Sequence, residues 1–155
     1  LTADGRHMGA SGTTLARVRF SRCNLLGIHW TDANWSEWTT QIGALAFDGC
    51  DLKYAVFLGL KLRGLTMTNC NATEANFAEA DLTEANFDGT DFAGAIFLHT
   101  DLTRANFAGA RHYTINLNDN RSQGARFALP VASGVLSRVA RFRLRGLVPG
   151  RGFRF

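Results

Sequence analysis

A period of five is the strongest constraint on what this 155-residue chain can fold into. Stepping by five from Phe47 gives Leu52, Phe57, Leu62, Met67, Ala72, Phe77, Leu82, Phe87, Phe92, Phe97, Leu102 and Phe107. Eleven of these 13 positions are Leu or Phe, although the two types supply only 30 of the 155 residues. Two residues before each stands an uncharged and usually small residue, such as Cys70, Ala75, Ala80, Ala85 or Thr90. The residue between is often Asp or Asn: Asp51, Asn71, Asn76, Asp81, Asn86, Asp91, Asp101, Asn106. Five matches neither the 3.6 of a helix nor the 2 of a flat strand. Fixed self-similarity of this kind marks a repeat architecture.

A backbone that turns a corner every five residues points two side chains inward per side, here one small and one large. That alternation suits a narrow interior filled to crystal-like density. The run Ala75-Asn76-Phe77, Ala80-Asp81-Leu82, Ala85-Asn86-Phe87 resembles the pentapeptide repeat family, whose consensus is A(D/N)Lxx. The likeness is clean from Phe47 to Phe107 and visible in Val18-Arg19-Phe20, Cys23-Asn24-Leu25, Ile28-His29-Trp30 and Ala33-Asn34-Trp35. The resemblance implies an all-β solenoid: a right-handed quadrilateral parallel β-helix with four pentapeptides per coil. Residues 20 apart then stack at about the 4.8 Å strand spacing. The columns Phe47-Met67-Phe87-Phe107, Phe57-Phe77-Phe97-Leu117 and Leu62-Leu82-Leu102 are near-continuous ladders. The fourth, Leu52-Ala72-Phe92-His112, places an imidazole on the axis near one end of the core.

Three segments follow from this reading. Residues 1–14 are a flexible, Gly-rich lead-in, 15–127 form the repeat, and 128–155 hold a C-terminal α-helix and a basic tail. Trp35 to Phe47 is twelve residues, so a register break near 36–46 must absorb two extra residues around Thr39–Gly43. Pro130 suits a first helical turn, and Val131, Val135, Val139 and Phe142 give one apolar face over Val131–Phe142. In the antibiotic-resistance members of the family such a helix caps the coil and forms a homodimer. The chain starts with Leu, which reads as a fragment lacking earlier coils.

Charge is unevenly spread. Residues 121–155 carry eight Arg and no acid, whereas Asn71–Ala110 carries seven acids against Arg104 alone. The tail is a solvated end, or a minor patch for nucleic acid or anionic lipid. Cys23, Cys50 and Cys70 all sit at inward small positions, as stacked thiols or, for Cys50 and Cys70, a disulfide. This usage favours a reducing, cytoplasmic setting. No apolar run approaches the roughly 20 residues of a membrane span, and no signal peptide is visible. Enzyme signatures are missing: no GxSxG, HExxH, CxxC or phosphate loop ending in Lys. His7, His29, His99 and His112 lack ligand spacing, so no catalytic residue, metal or cofactor is expected. Glu74, Glu79 and Glu84, five apart, face away from one another as an electronegative collar, and Glu84 can pair with Arg104 across coils.

Two functions remain open. The resemblance reaches the quinolone-resistance and gyrase-interacting members, which implies a DNA mimic occupying DNA gyrase or topoisomerase IV. On that reading Glu74, Glu79, Asp81, Glu84, Asp88, Asp91 and Asp101 form the partner-binding face. The alternative is a generic interaction scaffold with an unassigned protein partner. Neither involves a small-molecule substrate.

Overall fold

Two local devices turn the chain at every fifth residue. First, the N–H three residues past the second inward residue of each repeat donates back to that residue's carbonyl: Ala75 to Ala72 (3.1 Å), Ala80 to Phe77 (3.2 Å), Ala85 to Leu82 (3.0 Å). The third residue of the turn is left-handed, with φ of 55° at Glu74, 61° at Glu79 and 62° at Glu84. A positive φ there marks a type II turn. Second, the preceding Asp or Asn accepts the N–H two residues on: Ala78 donates to Asn76 Oδ1 (2.9 Å), Thr83 to Asp81 (3.0 Å), Ala93 to Asp91 (3.0 Å) and Thr103 to Asp101 (3.0 Å). The side chain thus satisfies a donor that the corner would leave without a partner.

The remaining backbone groups bond from coil to coil. Asn76 N–H donates to Ala55 O below (2.9 Å) and Phe77 N–H to Ile96 O above (2.9 Å). The computed structural model describes residues 18–32, 43, 45–128 and the backbone of Ala140–Phe142. The elements are β1 (Val18–Ser21), a single 3₁₀ turn (Trp30–Asp32), β2 (Leu45–Asp48), β3 (Thr66–Thr68), β4 (Asn106–Phe107), β5 (Tyr113–Ile115), β6 (Arg126–Phe127) and β7 (Ala140–Phe142). All pairings are parallel: β1-β2-β3, β4-β6 and β5-β7. Single bridges complete four columns, for example Thr66-Asn86-Asn106, Asp51-Asn71-Asp91-Arg111, Val56-Asn76-Ile96 and Lys61-Asp81-Asp101-Arg121. We number the faces one to four in that order. The fold is a four-sided parallel β-solenoid.

Its interior is continuous and apolar. Trp30, Phe57, Phe77 and Phe97 stack nearly parallel up the third face, at centroid spacings of 5.8, 4.9 and 5.2 Å. Phe92 meets Phe77 edge-on at 5.8 Å, lying towards the coil in which Ala72 leaves room. Thr90 and Thr100 are buried but donate to Met67 O (2.7 Å) and Phe77 O (3.0 Å) in the coil below. Cys23, Cys50 and Cys70 are buried free thiols, and the backbone N–H groups of Cys23 and Cys50 each face the sulfur of the next cysteine up, at 3.5 and 3.4 Å.

Three expectations are corrected. Phe20 pairs with Phe47, 27 residues on, as Asn24 does with Asp51 and His29 with Val56. Ala46 nevertheless pairs with Thr66 at the regular step of 20. The insertion before Leu45 is therefore seven residues rather than two, because counting in fives is blind to an added multiple of five. Within it, 33–42 and 44 lie outside the described residues. His112 does not reach the axis: it turns outward at φ 55°, and Tyr113 fills the interior instead at 1% exposure. A desolvated imidazole is thereby avoided, and the Tyr113 hydroxyl accepts from Ala128 N–H (3.1 Å). Finally, Ala140–Phe142 is strand β7 on the edge of β5, with Tyr113↔Ala140 and Ile115↔Phe142, so the helix expected over Val131–Phe142 does not include its last three residues. An open strand edge offers backbone groups that an added strand satisfies. Residues 131–139, the lead-in 1–14 and the tail beyond 142 lie outside the described residues.

Candidate interaction surface

The described interior is packed with side chains, so the chemistry lies in the outward positions. Glu74, Glu79 and Glu84 occupy three successive left-handed corners of one coil. Asp81 projects from the fourth face of that coil and Asp88 follows Phe87 on the first. Residues 71–90 therefore hold five acids and no Lys, Arg or His. Asp91 and Asp101 belong to the next coil up, bridged to Asn71 and Asp81 below.

These seven carboxylates are not equivalent. Glu84 pairs with Arg104 (3.2 Å), Asp91 with His112 Nδ1 (2.9 Å) and Asp101 with Arg121 (3.5 Å), each partner standing about one coil above. Asp81, Asp91 and Asp101 are also the turn acceptors described above. Burial pushes the Asp101 carboxyl up, but the Thr103 and Arg121 hydrogen bonds outweigh it and hold the group below the usual carboxylate range. Glu74, Glu79, Asp81 and Asp88 have no cationic partner among the described residues. Asp88 lies over the next coil, where a Cβ on Gly109 would collide with its carboxylate.

What the geometry brings together is a ring of acids about one coil tall, closed above by Arg104, Arg111, His112 and Arg121. It is no longitudinal stripe. The period of five correctly marks these residues as outward, but the motif's own demand for Asp or Asn accounts for three of them. Among the described residues no group of His, Cys, Asp and Glu is arranged to hold a metal, and no helix is long and apolar enough to cross a membrane.

One surface was not legible from the five-residue motif. The third face presents Val56, Leu58, Ile96 and Leu98 outward, and the last three are exposed. Reading the outward positions in steps of 20, as was done for the inward ones, finds it.

Comparison with family models gives a match described as pentapeptide repeats (8 copies), over residues 62–97 and 73–109. Among solved structures the chain is similar to HetL, a pentapeptide repeat protein involved in heterocyst differentiation regulation in the cyanobacterium Nostoc. That similarity is at 24% identity and TM-score 0.41, covering 70% of this chain and 48% of HetL. The chain thus spans about half of HetL's length. It is also similar to a pentapeptide repeat protein of the Arabidopsis thaliana thylakoid lumen (24%, TM-score 0.47, covering 77% and 72%). A third is trypsin-treated QnrB1, a plasmid-mediated fluoroquinolone resistance protein (14%, TM-score 0.43, covering 83% and 84%). Comparison with curated proteins gives no match.

Proposed function

We propose that this chain, which carries pentapeptide repeats over residues 62–109, acts by docking on a protein partner and not by catalysis. The coil is taken as right-handed, the hand the family implies, and the setting as cytoplasmic. The observation that carries the proposal is the acidic ring of residues 71–90. Three of its members, Glu74, Glu79 and Glu84, sit at left-handed corners where glycine costs nothing and other L-residues cost about 1–2 kcal/mol each. Acid is kept there against the local preference of the turn. A rigid rod presents that ring without rearrangement, which lowers the ordering cost of binding. The surface it fits is a compact basic recess on another protein.

A second reading is the DNA mimic that engages DNA gyrase or topoisomerase IV. Asp81 stacked beneath Asp101 favours it, since this pair runs along the axis as duplex charges do. DNA, however, places a charge every ~1.7 Å of axis, and Lys61 below and Arg121 above end the column after two acids. Gyrase supercoiling titrated with the protein, with and without a quinolone, separates the readings. The mimic predicts inhibition or drug protection at micromolar protein, lost when Glu74, Glu79, Asp81, Glu84 and Asp88 become amides. Unchanged supercoiling and drug response refute it and leave the unassigned protein partner.

A further inference from the structure

The acidic-ring reading makes no use of the apolar side chains on the third face. Its two outward columns read Val56-Asn76-Ile96 and Leu58-Ala78-Leu98, at steps of 20. Leu58, Ile96 and Leu98 are 43%, 48% and 45% exposed, and Tyr54, on the corner leading into this face, is 46% exposed. Leu26, on the second face, is the one other large hydrophobic side chain exposed among the described residues. Single exposed apolar residues are ordinary; these three share one face, and it is the acids flanking that face that give the group a direction. Ala78 is buried between Leu58 and Leu98, whose coils lie about 9.6 Å apart at two ~4.8 Å steps. The face therefore carries a notch one side chain wide. In the coil of Ala78 the two borders of the face are Glu74 and Glu79, both without a cationic partner among the described residues.

We propose that this face receives a basic amphipathic helix from a partner protein. The helix seats its apolar stripe on Leu58, Ala78, Ile96 and Leu98 and reaches Glu74 and Glu79 with lysine or arginine on either flank. The dimensions select a narrow occupant. Three coils by one strand face make a footprint of about 14 Å by 10 Å, far below the ~800 Å² per partner of a stable dimer. The helical pitch of ~5.4 Å follows the ~4.8 Å coil spacing closely over three steps, so successive turns meet successive coils. Charge excludes a second copy of this chain. A two-fold axis keeping two rods parallel sets Glu74 against Glu79. One making them antiparallel sets Glu74 against Glu74 and Glu79 against Glu79. Either arrangement opposes like charges at both edges, whereas a basic helix answers both.

This inference goes beyond the acidic-ring reading: it shares two glutamates with it but stands on the leucines. The test is fluorescence anisotropy of a labelled synthetic helix of about 18 residues, five turns, titrated with the full chain. The probe carries a leucine stripe flanked by lysines, and a matched control replaces the lysines with glutamates. Saturable binding of the lysine peptide alone is expected. Leu58→Gln with Leu98→Gln should weaken it at least tenfold while leaving circular dichroism and Tm unchanged, because both side chains are exposed. Glu74→Gln with Glu79→Gln should weaken it several-fold, an effect that shrinks with added salt. Equal binding of the glutamate peptide, binding indifferent to the leucine changes, or no saturable binding would overturn the proposal. So would sedimentation showing a dimer that the leucine changes dissolve. The leucine variant should behave as wild type in the supercoiling assay, so this surface and the acidic ring fail separately.

Discussion

Replacing Phe77 with Ala tests the interior most directly. The ring is fully buried, stacked on Phe57 at 4.9 Å and Phe97 at 5.2 Å, and met edge-on by Phe92. Phe→Ala at such a site costs about 3–5 kcal/mol through lost transfer energy and an unfilled cavity. The upper half of that range applies here, because the coils above and below are pinned by inter-coil hydrogen bonds at 2.7–3.1 Å and cannot collapse into the space. Taking about 4 kcal/mol and a urea slope of about 2 kcal/mol/M for a domain of this size, the midpoint should fall by about 2 M. Against a total stability of ~5–15 kcal/mol the variant folds but is badly weakened. The loss should also be local, since each coil touches only its neighbours. Amide exchange should accelerate most in the coils of Phe57, Phe77 and Phe97. Phe77→Leu keeps most of the volume and should cost less than half as much. A loss below about 1.5 kcal/mol for Phe77→Ala, or uniform acceleration of exchange along the chain, would refute the stacked, neighbour-coupled core.

Three further outcomes follow from other parts of the solenoid. Ala72→Leu should destabilise by about 1–3 kcal/mol, read from a urea melt, because Phe92 lies over the room that Ala72 leaves and the added methylenes overpack it. The folded-state pKa of Asp101 is depressed, so its stabilisation is full above the ordinary value of 3.8 and is lost as pH falls through the folded value. Wild type should therefore lose more stability than Asp101→Asn on acidification below pH 4, measured by melts across that window. Burial pushes the Cys70 thiol up to about 12 and raises Cys50 as well. Neither should react with iodoacetamide at pH 8 until the chain unfolds. As the unfolded thiols ionise above their ordinary 9.0 while the folded ones keep their protons, stability should decline with rising pH there.

The inward ladder was legible from residue identity because burial tolerates only apolar or small side chains, and Phe57, Phe77 and Phe97 show this at three consecutive coils. The four-sided geometry followed once those positions were read in steps of 20. Less visible was the phase within a coil. Nothing in the motif forbids His112 the axis; the cost of desolvating an imidazole does, and the chain avoids it by spending one left-handed residue to bring in Tyr113. The seven-residue insertion was hidden by the same arithmetic that revealed the repeat. Phe142 closes the helical spacing begun by Val131, Val135 and Val139, yet Ala140–Phe142 pairs with Tyr113–Ile115, because an open edge outweighs a weak local preference. For the acids, the motif could not separate Asp81, Asp91 and Asp101, which serve their own turns, from Glu74 and Glu79, which serve none. Inter-coil pairing with Arg104, His112 and Arg121 sorts them further, and that depends on register between coils.

The pairing of Phe20 with Phe47 sets a rule for how this molecule can change length. Seven extra residues lie between Asp32 and Leu45 and the columns resume in step, so a coil tolerates an excursion provided the chain re-enters where it left. Growth along the axis is different, because it comes in units. Duplicating 20 residues adds one storey of about 4.8 Å and leaves every face as it was. Duplicating five rotates all that follows by a quarter turn, carrying Leu98 from the side of Leu58 to the side of Thr83. Tandem duplication within such a gene therefore acts as a ratchet with two settings: one lengthens a binding face, and the other cuts it and starts a new one around the corner.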